Sequence, residues 1–217
     1  MKALNSLLDL FFPRKCVFCR KILHSAELGW CEVCTESLPY TEFGSKLEGD
    51  YFDFCIAPLF YKDIPREALL SFKFRNALIN ADSLGKMLAE CIMEHPDMTE
   101  YDIITWVPLS QKRKSARGYD QAEQLAKATA KQLNNEAVLV LEKSIDVKPQ
   151  SEISDRADRR ANIDGAYDVI DPCLVTDKCV LLIDDIVTTG STLSECAKML
   201  IEAGARRVVC ATMCRGE

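Results

Sequence analysis

The chain has 217 residues, of which 48% are hydrophobic and 28% are charged, and its formal net charge at pH 7 is −6. This composition is typical of a soluble globular protein. The negative charge excludes wholesale, non-specific attraction to nucleic acid or anionic lipid, but a local basic patch remains compatible with it. The sequence lacks an apolar run long enough for a transmembrane helix and a cleavable signal, so we expect no membrane span and a cytoplasmic location.

The first predicted unit, residues 1–48, combines a short helix with a small metal module. Leu4, Leu7, Leu8 and Phe11 share one helical face, which predicts an N-terminal helix that docks on the rest of the protein. A polar stretch at 44–50 then separates this unit from the second one, residues 52–217.

Four cysteines of the first unit form two Cys-x₂-Cys pairs, Cys16 with Cys19 and Cys31 with Cys34. Each pair can present two thiolates to a shared centre, and two pairs complete a tetrahedron with no open position. We therefore expect a structural zinc ion whose binding supplies much of the folding free energy of the segment. The alternative is a redox Cys-x-x-Cys couple, which two pairs at this spacing favour less.

Strand and helix signals alternate through the second unit. Strand-like runs occupy 54–61, 102–107, 137–141, 179–183 and 207–213, and helix-like runs occupy 65–74, 81–94, 121–133 and 191–203. The run at 179–183 is apolar without alternation, as in a strand that is buried on both faces of a parallel sheet. The order predicts an α/β domain with a mostly parallel sheet.

Segment 180–192 indicates a ligand site at the end of that buried strand. Asp184 and Asp185 follow the apolar run, at the sheet edge where ligands of open α/β sheets bind. The next turn contains one glycine and four hydroxyl side chains: Thr188, Thr189, Gly190, Ser191 and Thr192. The helix after it directs free N–H groups at the same point. These donors and acids suit a sugar phosphate, with the hydroxyl loop on the phosphate and the acids on the ribose hydroxyls.

Two alternatives to this interpretation can be stated from the residues alone. Ser191 or Thr192 could simply cap the next helix after an ordinary core strand, since helix starts are commonly rich in hydroxyl side chains. The second alternative is a loop that binds a nucleoside triphosphate, but the segment lacks the Gly-x-x-x-x-Gly-Lys-Ser/Thr pattern and the lysine of that pattern. A monophosphate is therefore the better match.

A cationic run follows the strand at 102–107 and consists of Lys112, Arg113, Lys114 and Arg117. Its place after a strand end favours anion binding over a merely solvated loop, and arginine suits bidentate contact with phosphate. A second irregular stretch, 148–167, contains Gln150, Arg156, Arg160 and Asn162 and is typical of a lid, a binding loop or a plain surface loop.

The order of these motifs resembles the competence protein ComF family nearly from end to end. The matching features are the cysteine pairs, an Arg-Gly-aromatic-x-Gln box at 117–121, the Gln…Arg…Arg-x-Asn stretch and segment 180–192. Segment 180–192 by itself resembles the phosphoribosyl-pyrophosphate (PRPP) signature of type I phosphoribosyltransferases. Tyr61 and the Phe-Lys-Phe-Arg stretch at 72–75 fit the region of the ComF family that precedes the core.

The resemblance implies a flavodoxin-like type I phosphoribosyltransferase core behind the zinc module, with PRPP bound together with Mg²⁺. It implies that Asp184 and Asp185 contact the ribose hydroxyls, that 188–192 surrounds the 5-phosphate and that the loop at 112–117 holds the pyrophosphate. Purine-salvage transferases carry an aspartate base where this chain has Thr188. That difference argues against a hypoxanthine or guanine enzyme, and we assign no catalytic base.

Two functions follow from the resemblance. One is a phosphoribosyltransferase that passes the ribosyl group to a nitrogenous acceptor and releases pyrophosphate. The other is a module that binds PRPP or single-stranded DNA without turnover and acts with the competence machinery in DNA uptake. Binding of single-stranded DNA through the cationic run would weaken steeply with salt.

Overall fold

The computed structural model describes residues 13–24, 29–74, 77–98, 100–144 and 165–217, with the side chains of 74 and 77–79 left aside. The predicted N-terminal helix around Leu4–Phe11 lies outside this range. So do Gln150, Arg156, Arg160 and Asn162 of the irregular stretch.

A parallel sheet forms the centre of the described part of the chain. Its strands are β1 (Cys55–Ile56), β2 (Leu59–Phe60), β3 (Ile103–Trp106), β6 (Cys179–Val187) and β7 (Arg207–Arg215). Strand β7 pairs with β1 and β2 on one side and with β6 on the other, and β3 extends the sheet beyond β6. Every one of these pairings is parallel, which confirms the predicted sheet type.

The helices of the described residues cover the sheet and the small N-terminal module. They are α1 (Glu32–Ser37), α2 (Asp63–Phe74), α3 (Ala77–Glu94), α4 (Gln111–Arg117), α5 (Gln121–Gln132) and α6 (Ser191–Glu202). Strand β6 has apolar side chains on both faces of the sheet, so both faces are covered by helices. Leu181 and Ile183 belong to the core under α2, α3 and α5, whereas Val180 and Leu182 belong to the core under α6. The successive side chains of a strand point to opposite faces, so a run without alternation is buried on both.

Helices α3 and α5 pack closely at Gly85. A Cβ atom at this position would lie 2.5 Å from the Cβ of Ala128 and 2.8 Å from the backbone nitrogen of Thr129. The two helix backbones can approach this far only because position 85 has no side chain.

Two of the sequence-based assignments of secondary structure are wrong. Only Ala137 of the strand predicted at 137–141 bridges the sheet, at Ile104. The chain then leaves the sheet edge, and β4 (Leu141–Lys143) pairs antiparallel with β5 (Tyr167–Val169) as a separate hairpin. The cationic run is not a loop but helix α4, because the Ser110 hydroxyl accepts from the backbone of Arg113 at its start and Gly118, at φ 82°, ends it.

No helix among the described residues is both long enough and apolar enough to cross a membrane.

Candidate functional site

The four paired cysteines meet at one point of the N-terminal module. Their sulfur atoms all lie within 4.8 Å of one another. The Sγ atoms of Cys16 and Cys34 are 3.7 Å apart, and those of Cys19 and Cys31 are 3.6 Å apart. Zinc–sulfur bonds of about 2.3 Å in a tetrahedron place the sulfurs about 3.8 Å apart. The spacing therefore fits a four-thiolate zinc site.

Backbone donors favour the thiolate form of Cys16. Its Sγ accepts from the backbone nitrogen of Cys19 at 3.5 Å and from that of Cys31 at 3.4 Å. Burial alone would raise the pKa of Cys16, but these N–H groups lower the pKa to about 7. Hydrogen bonds of this kind orient the ligands of a structural metal and tune their charge.

The acid pair lies in a part of β6 that has lost its neighbour on one side. Strand β3 ends at Trp106, opposite Ile183, whereas β6 continues to Val187 beside β7. The strand was predicted to end at 183; it runs on because β7 still offers backbone partners there. Asp184 and Asp185 consequently lie where β6 has a strand partner on one side only.

The two carboxyl groups of the pair have different environments. Burial raises the pKa of Asp184 well above its usual value, and the neighbouring charge of Asp185 raises this pKa further. The backbone nitrogen of Asp185 donates to Oδ1 of Asp184 at 2.8 Å. Oδ2 of Asp185 lies 2.8 Å from the ammonium of Lys73, in α2, although without the alignment of a regular hydrogen bond.

The hydroxyl loop between β6 and α6 has the form expected of an anion site. Gly190 is the N-cap residue of α6 and adopts a left-handed conformation at φ 76°, and the hydroxyl of Thr189 accepts from the backbone nitrogen of Ser191 at 3.4 Å. The alternative that Ser191 or Thr192 is an ordinary N-cap is therefore wrong. The hydroxyl oxygens of Thr189 and Ser191 are 2.8 Å apart, and a small cleft of about 20 Å³ is lined by Asp184, Ile186 and residues 187–193.

Part of the charge of the cationic run on α4 is engaged in contacts with the next helix, α5. The ammonium of Lys114 lies 2.8 Å from a carboxylate oxygen of Glu123, and the guanidinium of Arg117 donates to the Gln121 side chain at 2.9 Å. Burial raises the pKa of Tyr167, a residue of the hairpin, and the positive charge of Arg113 opposes this rise.

Sequence reasoning assigned no role to several residues that surround the acid pair. They are Lys73, which contacts Asp185, and the hairpin pair Lys143 and Tyr167, whose ammonium and hydroxyl are 2.9 Å apart. Burial is the main cause that raises the pKa of Tyr167, and the charge of Asp184 adds to this rise. Lys73 is visible in the sequence as part of the Phe-Lys-Phe-Arg stretch. No feature of that stretch, however, indicates a contact with Asp184 or Asp185.

Two parts of the chain match known protein families. Residues 7–44 match the double zinc ribbon domain, and residues 120–217 match the phosphoribosyl transferase domain. Together with the parallel sheet, these matches confirm a type I phosphoribosyltransferase fold behind a four-cysteine zinc-binding cluster. They also support a structural role for Zn²⁺ at Cys16, Cys19, Cys31 and Cys34.

Three relatives are similar to this chain over different lengths. Competence protein F of Haemophilus influenzae is 28% identical over 218 residues, covering 91% of this chain and 95% of that protein. Competence protein ComFC of Streptococcus pneumoniae is 28% identical over 148 residues, which cover 68% of this chain and 62% of that protein. DNA utilization protein YhgH of Escherichia coli K12 is 33% identical over 118 residues, covering 52% and 49% respectively.

Proposed function

We propose that this chain, a member of the competence protein ComF family, binds PRPP at the acid pair and hydroxyl loop and serves DNA uptake. The observation that carries the proposal is the start of α6. Gly190, the N-cap residue, is left-handed and has no side chain, the hydroxyl of Thr189 accepts from the backbone nitrogen of Ser191 at 3.4 Å, and two carboxylates stand near the end of the strand before the loop. A helix N-terminus directs N–H groups and a positive dipole end at one point, which is where a phosphate binds.

The acids would take the ribose end of the ligand. Asp185 is buried and ion-paired, so its carboxylate is held in place to accept hydrogen bonds from vicinal hydroxyl groups. The pyrophosphate would extend towards Arg113 of α4, where Mg²⁺ bound to the ligand would neutralise the remaining charge. Mg²⁺ supplies charge neutralisation at the leaving group, and the protein supplies orientation through the loop and the acids.

The two-unit division belongs to the same proposal. Residues 1–48 would form the zinc module and 52–217 the ligand-binding domain. Four thiolates hold zinc only while they are reduced, so the proposal places the protein in the reducing cytoplasm.

Removing the loop hydroxyls tests PRPP binding. We expect Thr189→Ala/Ser191→Ala to weaken PRPP binding about tenfold to a hundredfold, because each hydroxyl would donate to a charged phosphate. Isothermal titration calorimetry with PRPP and Mg²⁺ measures this. The matched control is Thr176→Ala/Ser37→Ala, which removes two exposed hydroxyls elsewhere. Absence of PRPP binding by the unaltered protein, or equal affinity in both variants, would contradict the proposed site.

The role of α4 can be separated from that of the loop by using two ligands. Arg113→Ala is expected to lower the affinity for PRPP by about tenfold and to leave that for ribose 5-phosphate unchanged, since only PRPP carries a pyrophosphate. Calorimetry with both ligands is the measurement, and Lys178→Ala, an exposed lysine distant in sequence from α4, is the control. A parallel loss for both ligands would remove α4 from the pyrophosphate site.

Turnover and DNA binding are separate questions about the same site. Release of pyrophosphate from PRPP in the presence of a nitrogenous acceptor would make the protein a phosphoribosyltransferase, and its absence across a panel of bases would leave a binding module. The hydroxyl of Tyr119, the aromatic residue beside the cationic run, donates to the backbone carbonyl of Phe72 at 2.6 Å. Because this ring is anchored towards the protein, base stacking on it is less favoured than PRPP binding.

A further inference from the structure

Lys73 is the one described cation that directly contacts the acid pair. Its ammonium lies 2.8 Å from Oδ2 of Asp185, and the two side chains are only 21% and 5% exposed. Burial lowers the pKa of Lys73, but the charges of Asp185 and Asp184 outweigh burial, so the pKa is raised and the side chain stays cationic.

Lys73 lies in the last turn of α2, and that turn is held from two directions. From one side, the hydroxyl of Tyr119 donates to the carbonyl oxygen of Phe72, the residue before Lys73, at 2.6 Å. Phe72 itself is fully buried. The bond fixes the backbone from which the lysine side chain extends.

The zinc module holds the same turn from the other side. Arg20 follows the second cysteine of the first pair and has a left-handed backbone at φ 64°. Its guanidinium donates to the hydroxyl of Ser71 and, at 3.3 Å, to the side-chain oxygen of Asn80. The segment around the first cysteine pair and the Arg-Gly-aromatic-x-Gln box are distant from each other in the sequence. Both therefore supply a residue that contacts the turn that carries Lys73.

We propose that Lys73 is a built-in cation of the ribose site, which pairs with Asp185 and orients it so that a ribose phosphate binds there without a divalent metal ion. Tyr119 and Arg20 act as positioning residues for it. The inference rests on the proposed sugar-phosphate site and adds to it the source of positive charge at the diol end. The metal requirement of PRPP then comes from its pyrophosphate alone.

Ribose 5-phosphate is the probe that tests this inference, because it has the diol and the 5-phosphate but no pyrophosphate. Calorimetry is carried out in EDTA and again in excess Mg²⁺. The unaltered protein is expected to bind with affinities that agree within about twofold in the two conditions. Lys73→Met is expected to bind about tenfold more weakly in EDTA and to recover in Mg²⁺, because the metal replaces the lost charge beside Asp185.

Two further variants keep the test decisive if Lys73→Met folds poorly. Lys73→Arg should restore binding in EDTA, since it returns a cation to the same turn. Tyr119→Phe removes only the hydroxyl that holds Phe72, and it should reproduce the metal dependence of Lys73→Met to a smaller extent. Lys178→Met, the control, alters an exposed lysine outside the site and should behave as the unaltered protein does.

The outcomes separate this inference from the proposed function. If the unaltered protein binds ribose 5-phosphate in neither condition, the sugar-phosphate site itself is wrong. If it binds, and both Lys73→Met and Tyr119→Phe bind equally well in EDTA, the site stands and the role of Lys73 is refuted. If the unaltered protein needs Mg²⁺ for ribose 5-phosphate, the metal is the cation of the ribose site and the inference also fails.

Discussion

Replacing Cys34 with serine is expected to release zinc and to unfold the N-terminal module. Cys34 is buried, its Sγ lies 3.7 Å from that of Cys16, and it sits on the short helix α1. Structural zinc sites contribute on the order of 10 kcal/mol to the folding of small modules, which is as large as the whole stability of a typical domain, about 5–15 kcal/mol. A three-thiolate remnant would therefore not keep the module folded.

The loss should extend beyond the module. Cys16, Val17 and Phe18 are buried in the same core as Leu69, Leu84 and other residues of α2 and α3. Unfolding of the module would expose this shared surface, so we expect a lower Tm for the whole protein as well. It would also release Ser71 from Arg20 and so loosen the turn that carries Lys73.

Zinc content and thermal unfolding are the two measurements for this prediction. Bound zinc is quantified with a colorimetric chelator after denaturation, and the Tm is followed by circular dichroism. Cys173→Ser is the matched control, because Cys173 is exposed and lies outside the cluster. A Cys34→Ser protein that retains one zinc per chain at an unchanged Tm would show that the cysteines are not the ligands of a structural ion.

The parts of the fold that are visible in the sequence are those fixed by local patterns. Strand β6 could be predicted because its apolar run has no alternation, and α6 because Gly190 and the hydroxyl residues mark its start. The cysteine spacing likewise predicts a shared centre, which the structure places within one small volume. In each case residues that are close in the chain determine the outcome.

The parts that could not be predicted depend on contacts between distant segments. The sequence does not predict that β6 continues beyond the end of β3, because the length of a strand depends on where its neighbouring strands end. The sequence predicts a loop in place of helix α4 because the charged residues of this segment show no apolar periodicity. The helix is marked instead by its caps, Ser110 and Gly118. The contact of Lys73 with Asp185 arises from the folding of α2 against the sheet, to which its own local sequence gives no guide.

The last prediction compares the two members of the acid pair by their effects on stability. Asp185→Asn is expected to reduce the free energy of unfolding by about 3 kcal/mol, because it leaves the ammonium of Lys73 buried without its partner. Asp184→Asn should cost less than about 1 kcal/mol, because the side-chain oxygen of asparagine can still accept from the backbone nitrogen of Asp185, as Oδ1 of Asp184 does at 2.8 Å. Adjacent acids of the same sequence motif should therefore behave differently.

A double-mutant cycle isolates the ion pair. Combining Asp185→Asn with Lys73→Met removes both charges, so the double variant should be more stable than Asp185→Asn alone by about 1–3 kcal/mol. Urea denaturation gives the free energy of unfolding for each protein, and Asp177→Asn on the exposed surface is the control. Strictly additive losses from the two single changes would mean that the 2.8 Å contact between Lys73 and Asp185 does not couple them. The charge of Lys73 would then have to be compensated elsewhere in the protein.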